Sequence, residues 1–137
     1  TESPNLFMYG ETGLGKTHLS LAIANEVIKK GFSVVYDSAQ NLFTRLEKER
    51  FGREGGNTED TVLYCDLLIL DDLGAEFDTK YVLSEIYNII NSRISYGRPT
   101  VISSNAALDE LTGLYGARVT SRIIGRDVRQ IKKRLSK

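Results

Sequence analysis

Cysteine occurs once in the 137 residues, at Cys65, and histidine once, at His18. No internal disulfide can form, which suits a reducing cytoplasm. No His/Cys cluster is available to suggest zinc. No apolar run approaches the roughly 18 residues that span a membrane, so no membrane partner is expected and the chain reads as a cytoplasmic protein. The opening Thr1-Glu2-Ser3-Pro4 leads directly into a short apolar run and has no secretory pattern. Internal repeats and low-complexity tracts are also lacking. Net charge is absent too, with 18 basic and 18 acidic side chains, but the balance hides an asymmetry. Residues 1–125 carry −5 and residues 126–137 carry +5. A basic tail on an acidic body reads either as a polyanion-binding end or as a solvated terminus.

What is present fits one soluble domain, with 41% hydrophobic and 26% charged residues. Leu6-Phe7-Met8-Tyr9, ended by Gly10, reads as a buried strand. Residues 16–30 show helical spacing through Leu19, Ala22, Ile23, Glu26 and Val27, and Gly31 stands at the C-cap. Val34-Val35-Tyr36 reads as a second strand. Ser38 is placed to cap a helix over 39–50 that turns Leu42, Phe43 and Leu46 inward. Residues 52–60 read as a loop by composition. Leu67-Leu68-Ile69-Leu70 has the continuous apolarity of a central parallel strand. Residues 80–96 suit an amphipathic helix with Val82, Ile86, Ile89, Ile90 and Ile94 inward, and Gly97 ends it. Thr100–Ser104 suits a fourth strand and residues 116–124 a short helix. The alternation predicts an α/β fold, a parallel sheet with right-handed crossovers.

Gly10-Glu11-Thr12-Gly13-Leu14-Gly15-Lys16-Thr17 fits the phosphate-binding pattern G-x4-G-K-[ST] in full. Glycines let the backbone wrap phosphate oxygens with successive N–H groups pointing inward, and the following helix adds its positive end. Lys16 reaches the β- and γ-phosphates, and Thr17 offers a hydroxyl to Mg²⁺. At average composition the pattern arises by chance in about one in 200 chains of this length. Its place between a predicted strand and a predicted helix makes chance rarer still. The expected ligands are therefore a nucleoside triphosphate and Mg²⁺; that the nucleotide is ATP is what the family resemblance below implies.

The apolar run at 67–70 delivers Asp71-Asp72 to a strand's carboxyl end, where open α/β sheets bind ligands. Asp71 suits Mg²⁺ held through its water shell, and Asp72 suits orientation of the attacking water. An apolar run before two acids is weak evidence alone and strong evidence beside residues 10–17.

Gly15-Lys16-Thr17-His18-Leu19, Leu70-Asp71-Asp72-Leu73-Gly74, Ser103-Ser104-Asn105 and the Arg118/Arg122 pair, in that order, resemble the AAA+ ATPases of the bacterial helicase-loader group. That group holds the DnaC-like loaders and the IstB-like transposase helpers. The resemblance runs from Asn5 to about Lys133. It implies a P-loop NTPase fold of AAA+ type, with helices on both faces of the sheet. It also implies that residues 1–137 are the ATPase core of a longer protein whose N-terminal partner-binding region lies outside. Asn105 becomes the sensor between the acids and the γ-phosphate. Arg118, four residues from Arg122 on one helix face, aligns with the finger that reaches a neighbouring subunit's nucleotide. Arg129 resembles a second, nucleotide-facing sensor arginine, and His18 falls beside the nucleotide as a packed or supporting residue. Two departures stand out. Asp72 replaces a frequent Glu, and Ile123-Ile124-Gly125 runs straight into Arg126 where a fifth strand belongs, so that strand is either lost or interrupted by residues absent here.

The resemblance implies an ATP-hydrolysing loader of the replicative DNA helicase that binds single-stranded DNA and self-associates through AAA+ interfaces. Its rivals are an IstB-like transposase helper and, from another class, a small-molecule P-loop kinase. A kinase needs neither the sensor Asn nor the arginine pair and usually brings a basic lid, of which the interval between the second and third strands shows nothing beyond Arg45–Arg53. Initiator-type AAA+ proteins carry a DNA-lining helical insertion in the interval of residues 43–53, where Arg45, Arg50 and Phe51 stand. Tyr81 is expected to add a ring on the same side. Phosphates track the cations while rings stack on bases.

Overall fold

The computed structural model describes residues 5–9, 15–52, 56–74, 80–106, 108–123 and 128–132. Within them, strands β1 (Asn5–Tyr9), β2 (Val34–Ser38), β3 (Leu67–Asp71), β4 (Thr100–Ser104) and β5 (Val128–Lys132) form one parallel sheet in the order β2-β3-β4-β1-β5. Side chains alternate across a strand, so each apolar run feeds two cores. Phe7, Leu68, Leu70 and Ile102 face one side, and Met8, Leu67, Ile69 and Val101 face the other.

Helix α1 (Gly15–Lys29) covers the Ile69 side. On the Leu68 side lie α2 (Ala39–Arg50), α3 (Thr58–Tyr64), α4 (Lys80–Ser95), α5 (Leu108–Tyr115) and α6 (Ala117–Ile123). Helices on both faces are the layer arrangement expected of a sheet with parallel crossovers. The Ser38 side chain caps α2 by accepting from Asn41 N–H at 3.1 Å, as its sequence position predicts.

Several sequence expectations are corrected. The fifth strand is present, and β5 pairs with β1 from Asn5↔Val128 to Tyr9↔Lys132. Its Arg129, Gln130 and Lys132 hide it from an apolar pattern, and polar residues are what an edge strand tolerates best. The predicted loop at 52–60 is cut short by α3, and α5 was not anticipated. Helix α3 begins at Thr58-Glu59-Asp60, whose polarity imitates a loop but whose acids suit a helix start. Its opening N–H, on Thr58, is satisfied from outside by the Glu49 carboxylate at 3.0 Å, and the Thr58 hydroxyl donates to the same group. A Cβ at Gly56 would meet Glu49 Oε2 at 2.8 Å, so a larger residue there would have to displace the carboxylate that Thr58 uses. The buried line of α1 is Lys16, Ser20 and Ala24, so Ala22 and Glu26 are exposed. Ile94 is 41% exposed rather than inward.

Arg93, in the last turn of α4, is wholly buried. Its guanidinium donates to the carbonyls of Val62, Cys65 and Pro99, each at 2.8 Å, and its Nε to Thr100 Oγ1 at 2.9 Å. One side chain thus ties the end of α3 to the entries of β3 and β4. Burial pushes its pKa down from the ordinary arginine value. Replacing Arg93 with Met keeps the bulk but strips the charged donor from the Val62, Cys65 and Pro99 carbonyls and from Thr100 Oγ1. The expected loss is about 3–5 kcal/mol of unfolding free energy, read from urea denaturation. A loss under about 1 kcal/mol would remove Arg93 from this role.

Candidate functional site

Strands β3 and β4 are neighbours, so their carboxyl ends bring Asp71 and Asp72 beside Ser103, Ser104 and Asn105. Helix α1 follows β1 and adds Lys16 and Thr17 to the same edge. Gly10, Glu11, Thr12, Gly13 and Leu14 lie outside the described residues. Gly15 opens α1.

Lys16 is buried, and its Nζ donates to Asn105 Oδ1 at 2.9 Å. The amide of Asn105 in turn donates from Nδ2 to Asp72 Oδ1 at 3.3 Å. Asn105 therefore joins Lys16 to the second acid. Thr17 Oγ1 donates to Asp71 Oδ2 at 3.4 Å, so the two groups assigned to Mg²⁺ converge. A hydroxyl and a carboxylate are hard oxygen donors and fit that ion. His18 is exposed, which overturns its reading as a packed residue.

Two residues that sequence reasoning passed over complete the cluster. Ser103 Oγ donates to Asp71 Oδ1 and accepts from Asp72 N–H at 3.1 Å, so one hydroxyl sets both acids. Tyr36 Oη donates to Asp71 Oδ2 at 3.1 Å. Burial first, then the Asp71 charge, pushes the Tyr36 phenol up to about 12. The available signal was its place in the second strand, on the side that faces α1. Asp72 itself has φ +62°, the left-handed region. Short Asp and Asn side chains tolerate that conformation better than most, which gives the Asp-for-Glu departure a backbone reason.

Arg118 and Arg122 lie exposed on α6 and share a face, as their spacing predicts. The Arg118 guanidinium carbon sits 4.4 Å from the ring centre of Tyr87 on α4, and that of Arg122 sits 5.7 Å away. Arg122 also donates to Asn91 Oδ1 at 2.9 Å and to Tyr87 Oη at 3.4 Å. Hydrogen bonds from the two arginines hold the Tyr87 phenol below its ordinary value. Arg129 is placed on β5, opposite Leu6 of β1. The strand expected to precede the second sensor contains it, so the sensor reading of Arg129 is not supported.

A second patch gathers Phe51, Arg50 and Tyr81. Phe51 caps α2 and is 58% exposed, with its ring 6.1 Å from that of Tyr81. The Arg50 guanidinium lies 5.7 Å from the Tyr81 ring centre. Arg45 does not join them and pairs instead with Asp37 at 3.2 Å. Phe43 is core. Beneath the patch is a cleft of about 210 Å³ whose wall includes Glu49, Glu59, Asp60 and Glu85. Burial, then the hydrogen bond to Glu59, pushes the Glu85 carboxyl up to about 7.

Comparison with known proteins gives this edge a context. The family model described as IstB-like ATP binding protein matches residues 1–133. The replicative helicase loader DnaC of Escherichia coli strain K12 is 35% identical over 118 residues, 83% of this chain and 47% of that protein. The chain thus spans about half the length of that relative. Among solved structures, the DnaC helicase loader superposes with a TM-score of 0.84 at 27% identity, covering 96% of this chain and 78% of that one. The replication initiator DnaA bound to AMPPCP and single-stranded DNA superposes with a TM-score of 0.81 at 27% identity, covering 95% and 41%.

The left-handed backbone at Asp72 predicts an asymmetric response to substitution. Asp72→Asn should be no less stable than the parent in urea denaturation, whereas Asp72→Val should lose about 1–2 kcal/mol. Equal stability of the two variants would contradict the strained conformation.

Proposed function

Because the chain belongs to the family of IstB-like ATP binding proteins, we propose that it hydrolyses ATP between subunits and loads a replicative helicase onto single-stranded DNA. The observation that carries the reading is the continuous chain Lys16–Asn105–Asp72, set beside Thr17 and Asp71 at the carboxyl edge of the sheet. The loader role rests on the 35% identity to DnaC.

Lys16 neutralises charge on the β- and γ-phosphates. Thr17 and Asp71 would hold Mg²⁺, which supplies charge neutralisation of the phosphates when bound. Asp72 orients the attacking water and accepts its proton at a carboxylate oxygen. Asn105, bonded to both Lys16 and Asp72, links phosphate occupancy to the position of that acid. Arg118 and Arg122 spend their contacts on α4, outside this cluster, and their exposure suits service to a neighbour's nucleotide. Tyr87 and Asn91 limit the freedom of both guanidiniums before any partner arrives. An IstB-like transposase helper is the second reading, favoured by the family description. Its separation from a loader lies in whether the full-length protein captures a transposase or a helicase.

The DNA contact proposed here is the rim made by Phe51 and Arg50 over Tyr81. The acids below repel phosphates from the cleft floor, so the backbone is confined to the Arg50 side while a base stacks on Phe51.

Hydrolysis is tested with Asp72→Asn and Arg118→Ala. Both should bind ATP like the parent. Turnover should fall by about 100-fold in the first and about 1,000-fold in the second. Mixing Arg118→Ala with Lys16→Ala subunits should restore part of the activity at mixed interfaces, and no recovery at any ratio would count against a trans role.

DNA binding is tested by measuring single-stranded DNA affinity across a salt series. Phe51→Ala should weaken binding by about 1–3 kcal/mol without changing the salt dependence. Arg50→Ala should flatten the slope by about one unit. Parental behaviour of both variants would move the DNA site elsewhere.

A further inference from the structure

We infer that Tyr36 is a positioning residue for the divalent cation, fixing the carboxylate of Asp71 so that it presents to the ion in one orientation. The inference rests on the ATP-binding reading above and assigns a new residue to that same site. In the β2–β3 pairing Tyr36 stands opposite Ile69. Asp71 lies two residues further along β3, on the same face of the sheet, because side chains repeat every second residue. That diagonal is too long for an aliphatic side chain but within reach of an aromatic one. The Tyr36 hydroxyl closes it with a 3.1 Å hydrogen bond to Asp71 Oδ2.

Three elements thus converge on one carboxylate. Ser103 from β4 donates to Oδ1, and Tyr36 from β2 and Thr17 from α1 both approach Oδ2. Thr17 is the donor that the nucleotide site claims for the ion. Tyr36 and Ser103 have no such second duty, and they remain to set the rotation of the carboxylate. A tyrosine suits the task because it is a neutral donor. It orients Asp71 without cancelling the charge that attracts a divalent cation, as a lysine or arginine at the same place would. Partners of this kind, bonded to a metal-holding carboxylate, typically change metal affinity by about 10–100-fold when removed.

The test uses the whole chain and AMPPCP, so that no turnover intervenes. Affinity for AMPPCP is measured first in EDTA and then across a Mg²⁺ titration, for the parent, Tyr36→Phe, Asp71→Asn and the double variant. Tyr36→Phe should bind AMPPCP in EDTA within about twofold of the parent, yet need about tenfold more Mg²⁺ for half-saturation. In the Asp71→Asn background the same change should have no further effect, because the group it positions is gone. A Mg²⁺ titration like the parent's would overturn the proposal. So would an equal loss with and without Mg²⁺, an effect that persists in the double variant, or a Tyr36→Phe chain that fails to fold, since each assigns the tyrosine to packing. A parent that binds no AMPPCP would instead overturn the ATP-binding reading itself, and this inference with it.

Discussion

Two consecutive carboxylates at the end of a buried strand repel each other, and this site has to hold them apart and aimed differently without neutralising either. Ser103 does most of that work. Its hydroxyl donates to Asp71 Oδ1 and accepts the N–H of Asp72, so the chain turns sharply between the acids. The left-handed backbone at Asp72 completes the turn and sends its carboxylate toward Asn105 rather than along the path of Asp71. The backbone beyond is sewn to β4 as well, with Leu73 N–H on Ser103 O at 2.8 Å and Ser104 Oγ on Leu73 O at 2.6 Å. Every donor in this arrangement is neutral, which leaves the negative charge available to a cation.

The same two strands are held at their other ends by the opposite device, a full positive charge buried among carbonyls. Arg93 offsets the cost of desolvation with several short, charge-assisted hydrogen bonds to backbone carbonyls. The planar guanidinium reaches acceptors on α3 and at the entries of β3 and β4 at once, which a lysine's single ammonium could not match. With β3 and β4 fixed at both ends, the small offsets between Asp71, Asp72 and Asn105 become properties of the sheet rather than of flexible loops. That is the rigidity a preorganised phosphate site requires.

Away from the Lys16–Asn105–Asp72 cluster, three exposed arginines lie against aromatic rings. Tyr87 carries Arg118 and Arg122, and Tyr81 carries Arg50. A ring face attracts a cation without removing its net charge, so each arginine is steered yet stays available to an anion. The two groups also differ. Around Tyr87 the hydrogen bonds to Asn91 and the phenol restrain Arg122, whereas around Tyr81 the buried Glu85 and its neighbours place acid beneath the cation.

The sequence by itself determined the family's motifs and most of the layering. The phosphate-binding pattern at 10–17, the acids after a fully apolar run and the capped helix at 39–50 are local signals, written in neighbouring residues. Periodicity and spacing suffice to read them. Asn105 and the Arg118/Arg122 pair stood out only through the family resemblance, not through any local pattern. The tertiary structure alone decided β5, since an edge strand of polar residues exists through its ladder to β1 and not through any apolar pattern. It decided α3 in the same way, by a carboxylate borrowed from α2. It also separated Arg45 from Arg50, which lie five residues apart on α2, by giving one to Asp37 and the other to Tyr81. Tyr36 shows the reason most plainly. Thirty-five residues separate it from Asp71, and only the pairing of two parallel strands brings its hydroxyl to that carboxylate.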